Sequence, residues 1–147
     1  MSINSICMHM THLPMLFFFQ GANTGIGKET AKDFSRRGAK VLSLCRDVEK
    51  GNTAGEETMA ETGGVIEVIR LDLASLKSVR ECADKVLEKE EKIDYLITNA
   101  GVMICPEWKT DDGFDMQFGT NHLGHFLLVD LLLPLVKKAK ELGSSPR

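Results

Sequence analysis

The residues in this chain that could do chemistry begin with a run of small side chains, Gly21-Ala22-Asn23-Thr24-Gly25-Ile26-Gly27. A short apolar stretch precedes the run and an amphipathic one follows, so its context predicts a strand, a glycine turn and the first turn of a helix. In that setting Gly21, Asn23, Thr24, Gly25, Ile26 and Gly27 let backbone N–H groups and the helix N-terminus approach a pyrophosphate with no Cβ in the way. An ordinary structural turn is the plainer alternative, because turns are glycine-rich too. The end of the next apolar run carries the second signal. A site for NAD(H) places Asp or Glu there, about 20 residues beyond the glycines, to bond the ribose hydroxyls. This chain has Arg46, nineteen positions after Gly27, and it has Lys28 directly after that last glycine. Two cations beside an adenosine ribose suit a 2′-phosphate, so the cofactor expected is NADP(H). Asp47 could instead take the acidic NAD role, and Arg46 could be a solvated surface charge. Asp72-Leu73 and Asn99-Ala100-Gly101 close two further apolar runs. The first offers a short polar side chain to an adenine edge, and the second leaves room for a ribose.

These residues need a scaffold that gathers them. Short runs rich in Val, Ile, Leu and Phe occupy residues 15–20, 40–45, 65–71 and 93–98, bounded by Gly or polar residues as buried strands are. Between them lie helical patterns. Ile26, Thr30, Ala31 and Phe34 make one apolar stripe before Gly38, and residues 47–61 make a more polar helix ended by Gly63-Gly64. Leu76, Val79, Ala83, Val86 and Leu87 make another stripe, with Ser75 as its N-cap. The alternation predicts an α/β fold, a Rossmann-type doubly wound parallel sheet represented by its N-terminal portion, in strand order 3-2-1-4. That order puts the two small-residue turns on either side of the switch point. Residues 111–142 read as a short helix running into a long one, apolar nearly all round through Leu123, Phe126, Leu127, Leu131, Leu132, Leu133, Leu135 and Val136, with Pro134 expected to kink it. Residues 1–14 read as an irregular arm ahead of a single partial domain at 15–147.

Composition sets the outer bounds. The chain has 147 residues, 43% hydrophobic and 27% charged, which is one globular domain rather than a collagen, a disordered polymer or a disulfide miniprotein. A net charge of −3 carries no basic excess, so nucleic acid is not an expected partner. Cys7, Cys45, Cys82 and Cys105 form no CxxC pair and read as reduced thiols, consistent with an intracellular chain. The apolar run at 13–19 is too short to span a bilayer and has no basic flank, so neither a membrane anchor nor a signal peptide is expected.

Other residues have plainer readings. Cys7, His9 and His12 could offer metal ligands but read as incidental, and no metal is expected. His122 and His125 lie at helical spacing without an acidic or thiol partner, and read as structural. Trp108 with Cys105-Pro106 could line a pocket or simply pack. Residues 85–92 (KVLEKEEK) read as a solvated helix face.

Gly21-xxx-Gly25-Ile26-Gly27, Asp72-Leu73, Asn99-Ala100-Gly101 and Asn121-His122-Leu123-Gly124 together resemble the short-chain dehydrogenase/reductase family, in order and spacing. Within it, residues 21–31, Cys45-Arg46-Asp47 and the stretch from Asp112-Gly113-Phe114 to His125-Phe126 resemble the retinol dehydrogenase (retinal reductase) group. The similarity runs over about residues 16–138. It implies hydride transfer between NADP(H) and a small hydrophobic alcohol or carbonyl, a retinoid first. It also implies that Asn121 holds a water in the proton relay, that Asn99, Ala100 and Gly101 support sheet and cofactor, and that the helix at 117–142 packs in a dimer. The family's Ser and Tyr-xxx-Lys carry the proton chemistry after the Asn-bearing helix. Here the one tyrosine is Tyr95, inside the predicted fourth strand, with Asn99 four residues on. Gln20 also stands where the family usually has Thr. The expectation is therefore the cofactor-binding half of a reductase, truncated before that Ser and Tyr-xxx-Lys and inactive towards retinal on its own. The alternative is a non-catalytic product that binds nucleotide or pairs with a full-length relative.

Overall fold

The computed structural model describes residues 15–22, 24–144 and 146, so Asn23 and the Cys7, His9 and His12 group lie outside the described residues. Four parallel strands form one sheet: β1 Leu16–Gln20, β2 Lys40–Cys45, β3 Val65–Arg70 and β4 Tyr95–Ile97. Their order is β3-β2-β1-β4, as the sequence pattern predicts. The register pairs Leu44 with Ile69 and Phe18 with both Leu42 and Leu96. β4 is shorter than the apolar run suggests, because Ile93 and Asp94 bond outside the ladder. Ile93 N–H donates to the Leu135 carbonyl and Asp94 N–H to the Leu16 carbonyl.

Alternating side chains on the strands build two cores. On one face, Leu42, Leu44 and Ile69 pack against Val79, Ala83 and Val86 of α3 (Leu76–Lys89) and against Leu128, Leu132 and Leu135 of α5 (His125–Glu141). On the other, Val41 and Ile66 meet Ala31 and Phe34 of α1 (Gly25–Arg36) and Met59 of α2 (Val48–Thr62). Helices on both faces of a parallel sheet are the doubly wound arrangement.

Several local expectations are corrected. Ile26 is 81% exposed, and Gly27, Ala31 and Ser35 are the buried residues of α1. The first turn of α1 comes so near the turn after β1 that Gly27 has no room for a side chain. Ser75 occupies the N-cap position of α3 without a side-chain bond, and the Asp112 carboxylate accepts from Leu76 N–H instead. The acidic and basic residues after α3 are not simply solvated: Glu90 pairs with Lys40 and Lys92 with Asp94, each partner half-buried or buried. The long helix is not apolar all round. It buries Leu128, Leu132, Leu135 and Ala139 and exposes Phe126, Leu133, Asp130 and Lys137. Pro134 sits within α5 without ending it. Among the described residues no helix is long and apolar enough to cross a membrane.

Candidate functional site

The loops that leave the C-terminal ends of the four strands meet over an open cleft of about 460 Å³. Gly21 and Thr24 line it after β1, Arg46, Asp47 and Lys50 after β2, and Asp72 and Leu73 after β3. Ala100, Gly101 and Val102 line it after β4, and Thr120 comes from the helical segment beyond. Open α/β sheets bind ligands at such a crevice, where strand order reverses.

The glycine turn is shaped for close approach. Gly21 has φ +70°, a left-handed conformation that side-chain-bearing residues rarely adopt. A Cβ on Gly27 would overlap the Gly21 carbonyl oxygen and lie 2.9 Å from its carbon and 3.0 Å from Asn99 Nδ2. Helix, turn and the strand-four loop are thus stacked on one another. Ile26 contributes through its backbone in the first turn of α1, since its side chain faces solvent. Asn99 lies against the glycine turn rather than along the cleft wall.

At the β2 end, Arg46 is exposed and has no ion pair or hydrogen bond among the described residues. Asp47 is the N-cap of α2, its Oδ1 accepting from Lys50 N–H at 3.1 Å and its Oδ2 lying 3.2 Å from Lys50 Nζ. The Lys50 N–H, and after it the Lys50 ammonium, hold the Asp47 carboxyl below the usual carboxylate range. An acid engaged in capping is poorly placed to grip a ribose. Cys45, buried beneath, donates its thiol to the Asp47 carbonyl at 3.3 Å, and burial pushes that thiol up. Lys28 is not brought to the cleft. Its ammonium lies 2.5 Å from Glu57 Oε2, which raises its pKa, and it lines a neighbouring hollow between α1 and α2. Lys50 lines both spaces and is a cation the sequence reading missed. Its spacing after the Asp47 cap, in the first turn of α2, was the available signal.

Asp72 shapes its own turn, Oδ1 accepting from Ala74 N–H at 3.0 Å, while its backbone N–H bonds Ser78 Oγ. Beyond β4, the chain enters a short helix α4 (Met116–Phe118) and a π-helical turn over Gly119–Gly124 that runs into α5. Such wide turns are frequent at functional sites. Asn121 sits in it, with Oδ1 accepting from Val102 N–H at 2.8 Å and Nδ2 donating to the Val102 carbonyl at 2.7 Å. His125 Nε2 meets the Ala100 carbonyl at 2.7 Å, a structural engagement as the sequence suggests. His122 is exposed between the Phe118 and Phe126 rings. Trp108 is 59% exposed, so it does not pack in a core. Tyr95 packs under the sheet against the second core, away from the lining residues. Among the described residues no group of three or more His, Cys, Asp or Glu could hold a metal.

Comparison with known proteins agrees with this fold. The chain is 57% identical over 118 residues to human "Retinol dehydrogenase 13", which covers 80% of the chain and 36% of that protein. It is 51% identical over 138 residues to mouse "Retinol dehydrogenase 11", covering 92% of the chain and 44% of the relative. The chain therefore spans less than half the length of these curated relatives. Among solved structures, an uncharacterised protein of Mycobacterium paratuberculosis superposes with TM-score 0.73 at 44% identity, over 84% of this chain and 45% of the other. A short chain dehydrogenase of Escherichia coli CFT073, solved with NADPH, superposes with TM-score 0.73 at 28% identity, over 84% and 54%. A sequence model of the short chain dehydrogenases matches residues 17–144, nearly the whole described fold, and the chain belongs to that family of oxidoreductases.

Proposed function

We infer that the cleft binds NADP(H), and that the chain is the cofactor-binding part of a reductase acting between NADPH and a hydrophobic alcohol or carbonyl. A retinoid is the substrate class favoured by the names of the relatives. One observation carries the cofactor reading: an exposed Arg46 without a partner among the described residues, lining the cleft with Lys50, where an NAD site needs a free acid. The residues fit the group. Gly21, Thr24 and the first turn of α1 would take the pyrophosphate, Arg46 and Lys50 the 2′-phosphate, and Asp72 and Leu73 the adenosine. Ala100 and Gly101 would face a ribose. NADPH, when bound, supplies the hydride. Both ends of the Asn121 amide are engaged with Val102, so a relay water at this residue would be held from its main chain.

The test is thermal unfolding of the chain with NADPH and with NADH. At a hundred times its dissociation constant NADPH should add about 2.7 kcal/mol to the folded state. Arg46→Met should weaken NADPH by about 10- to 100-fold, the worth of a charge-assisted bond, and leave NADH nearly unchanged. Lys28→Met should change neither, because its charge already serves Glu57. Equal shifts with both nucleotides would remove the 2′-phosphate assignment.

A second reading has its own observation. Phe118 and Phe126 are 53% and 67% exposed on one helical stretch, with Leu133 beyond them. A nucleotide-binding chain that pairs with a longer relative through 117–142 would cover this face. Its mark is a mixed oligomer in sedimentation experiments, and a strictly monomeric mixture argues against it.

A further inference from the structure

Ala100, Gly101 and Val102 line the cleft at its β4 end. β4 ends at Ile97, so no strand ladder holds these peptides. Backbone polar groups in that position need partners from elsewhere. Two side chains of the helical segment supply them. Asn121 takes both polar groups of Val102, and His125 takes the Ala100 carbonyl.

A carbonyl oxygen can only accept, so the imidazole of His125 must carry its proton on Nε2. Nδ1 is then a buried atom, and it has no hydrogen-bond partner among the described residues. An unpaired buried polar atom is unfavourable, and a Leu or Met would fill similar space without one. The imidazole is therefore kept for the bond that its Nε2–H makes. The helical segment that carries it is closely seated. A Cβ on Gly124 would overlap the Leu73 carbonyl oxygen and lie 3.1 Å from Leu73 Cβ, so the helix rests directly on the turn after β3. One helical segment thus touches both walls, at Leu73 and at Ala100 to Val102.

We propose that His125 is a positioning residue for the dinucleotide, its Nε2–H setting the Ala100 to Val102 backbone against which the half away from the 2′-phosphate rests. This rests on the nucleotide reading above. Arg46 and Lys50 sit on other elements and set the adenosine end independently.

The test uses the whole chain and two ligands, NADPH and adenosine 2′,5′-bisphosphate, which carries the 2′-phosphate end alone. Dissociation constants and melting temperatures are measured side by side. His125→Leu should weaken NADPH by about ten-fold. It should leave the bisphosphate within about two-fold, as expected for independent sites. Proportional loss of both ligands would overturn the proposal, because a merely structural role does that, and so would unchanged NADPH affinity. Should the Leu variant not fold, nitrogen NMR of the wild-type imidazole decides: a proton on Nε2 supports the bond, and a proton on Nδ1 with bare Nε2 overturns it. A wild-type chain that binds neither ligand would overturn the nucleotide reading itself, and this role with it, whereas a binding wild type with an unaffected variant overturns this role alone.

Discussion

Gly27→Ala is expected to abolish the thermal stabilisation by NADPH and to lower the stability of the chain itself by about 3 kcal/mol. The added methyl would occupy the place of the Gly21 carbonyl, and that atom belongs to the backbone of a turn that Leu44 also holds, Gly21 N–H donating to its carbonyl at 3.0 Å. A flexible side chain could swing aside; this peptide cannot move without opening the cleft. Gly25→Ala is the informative control. Nothing lies within 4 Å of a Cβ there, and the strain comes solely from φ +56°. It should cost about 1–2 kcal/mol and weaken binding far less. Urea or thermal melts with and without NADPH compare the two variants. If Gly27→Ala binds as the wild type does, close approach of helix and turn is not what the cleft requires.

Asp94→Ala should be the more damaging change to stability, about 3–5 kcal/mol, because it leaves a lysine without its buried partner. Against the roughly 5–15 kcal/mol of an ordinary domain, that loss is enough to unfold a marginal one. The Asp94 side chain is 2% exposed. Its Oδ2 accepts from Leu16 N–H at 2.9 Å, its Oδ1 lies 2.9 Å from Lys92 Nζ, and Lys92 donates in turn to Ser144 Oγ at 3.1 Å. One carboxylate thereby ties the start of β1, the approach to β4 and the chain after α5. Burial is the largest single influence on this carboxyl and pushes it up. The Leu16 N–H, the Ser144 hydroxyl and the Lys92 ammonium together outweigh it and hold the group below its ordinary value. A carboxyl lowered in the folded state stabilises fully above its unfolded value, near pH 4, and loses that contribution as pH falls through the lower folded value. Acid melts should therefore show wild-type stability falling steeply below about pH 4, with a flatter profile for Asp94→Asn. Parallel profiles for the two would mean that Asp94 titrates alike folded and unfolded.

Much of the scaffold around the cleft is legible in the sequence, and the reason is locality. The run from Gly21 to Gly27, the Asp72-Leu73 and Asn99-Ala100-Gly101 turns and the alternation of strand and helix depend on backbone conformations and periodicities that a few neighbouring residues determine. Right-handed crossovers then leave little freedom in strand order, so β3-β2-β1-β4 followed from the pattern. The sequence already favours Arg46 over Asp47 at this end, and the fold adds that the Asp47 carboxylate caps α2.

What only the tertiary structure decided involves partners far apart in the chain. Lys28 looked like a phosphate ligand because it follows the glycines; Glu57, 29 residues away, draws it into the space between α1 and α2. Glu90 and Lys92 looked solvated within a charged run, until Lys40 and Asp94 were folded beside them. Asp94 read as part of a strand, and its bond to Leu16 spans 78 residues. Ile26 read as core, yet close packing at Gly27 turns it outward. A sequence pattern specifies which elements form and which residues turn the chain, because those follow from local sterics and hydrophobic period. Which charge meets which, and which face of a helix finds cover, is set by long-range packing, and it is there that Arg46 stays exposed at the cleft while Lys28 pairs with Glu57.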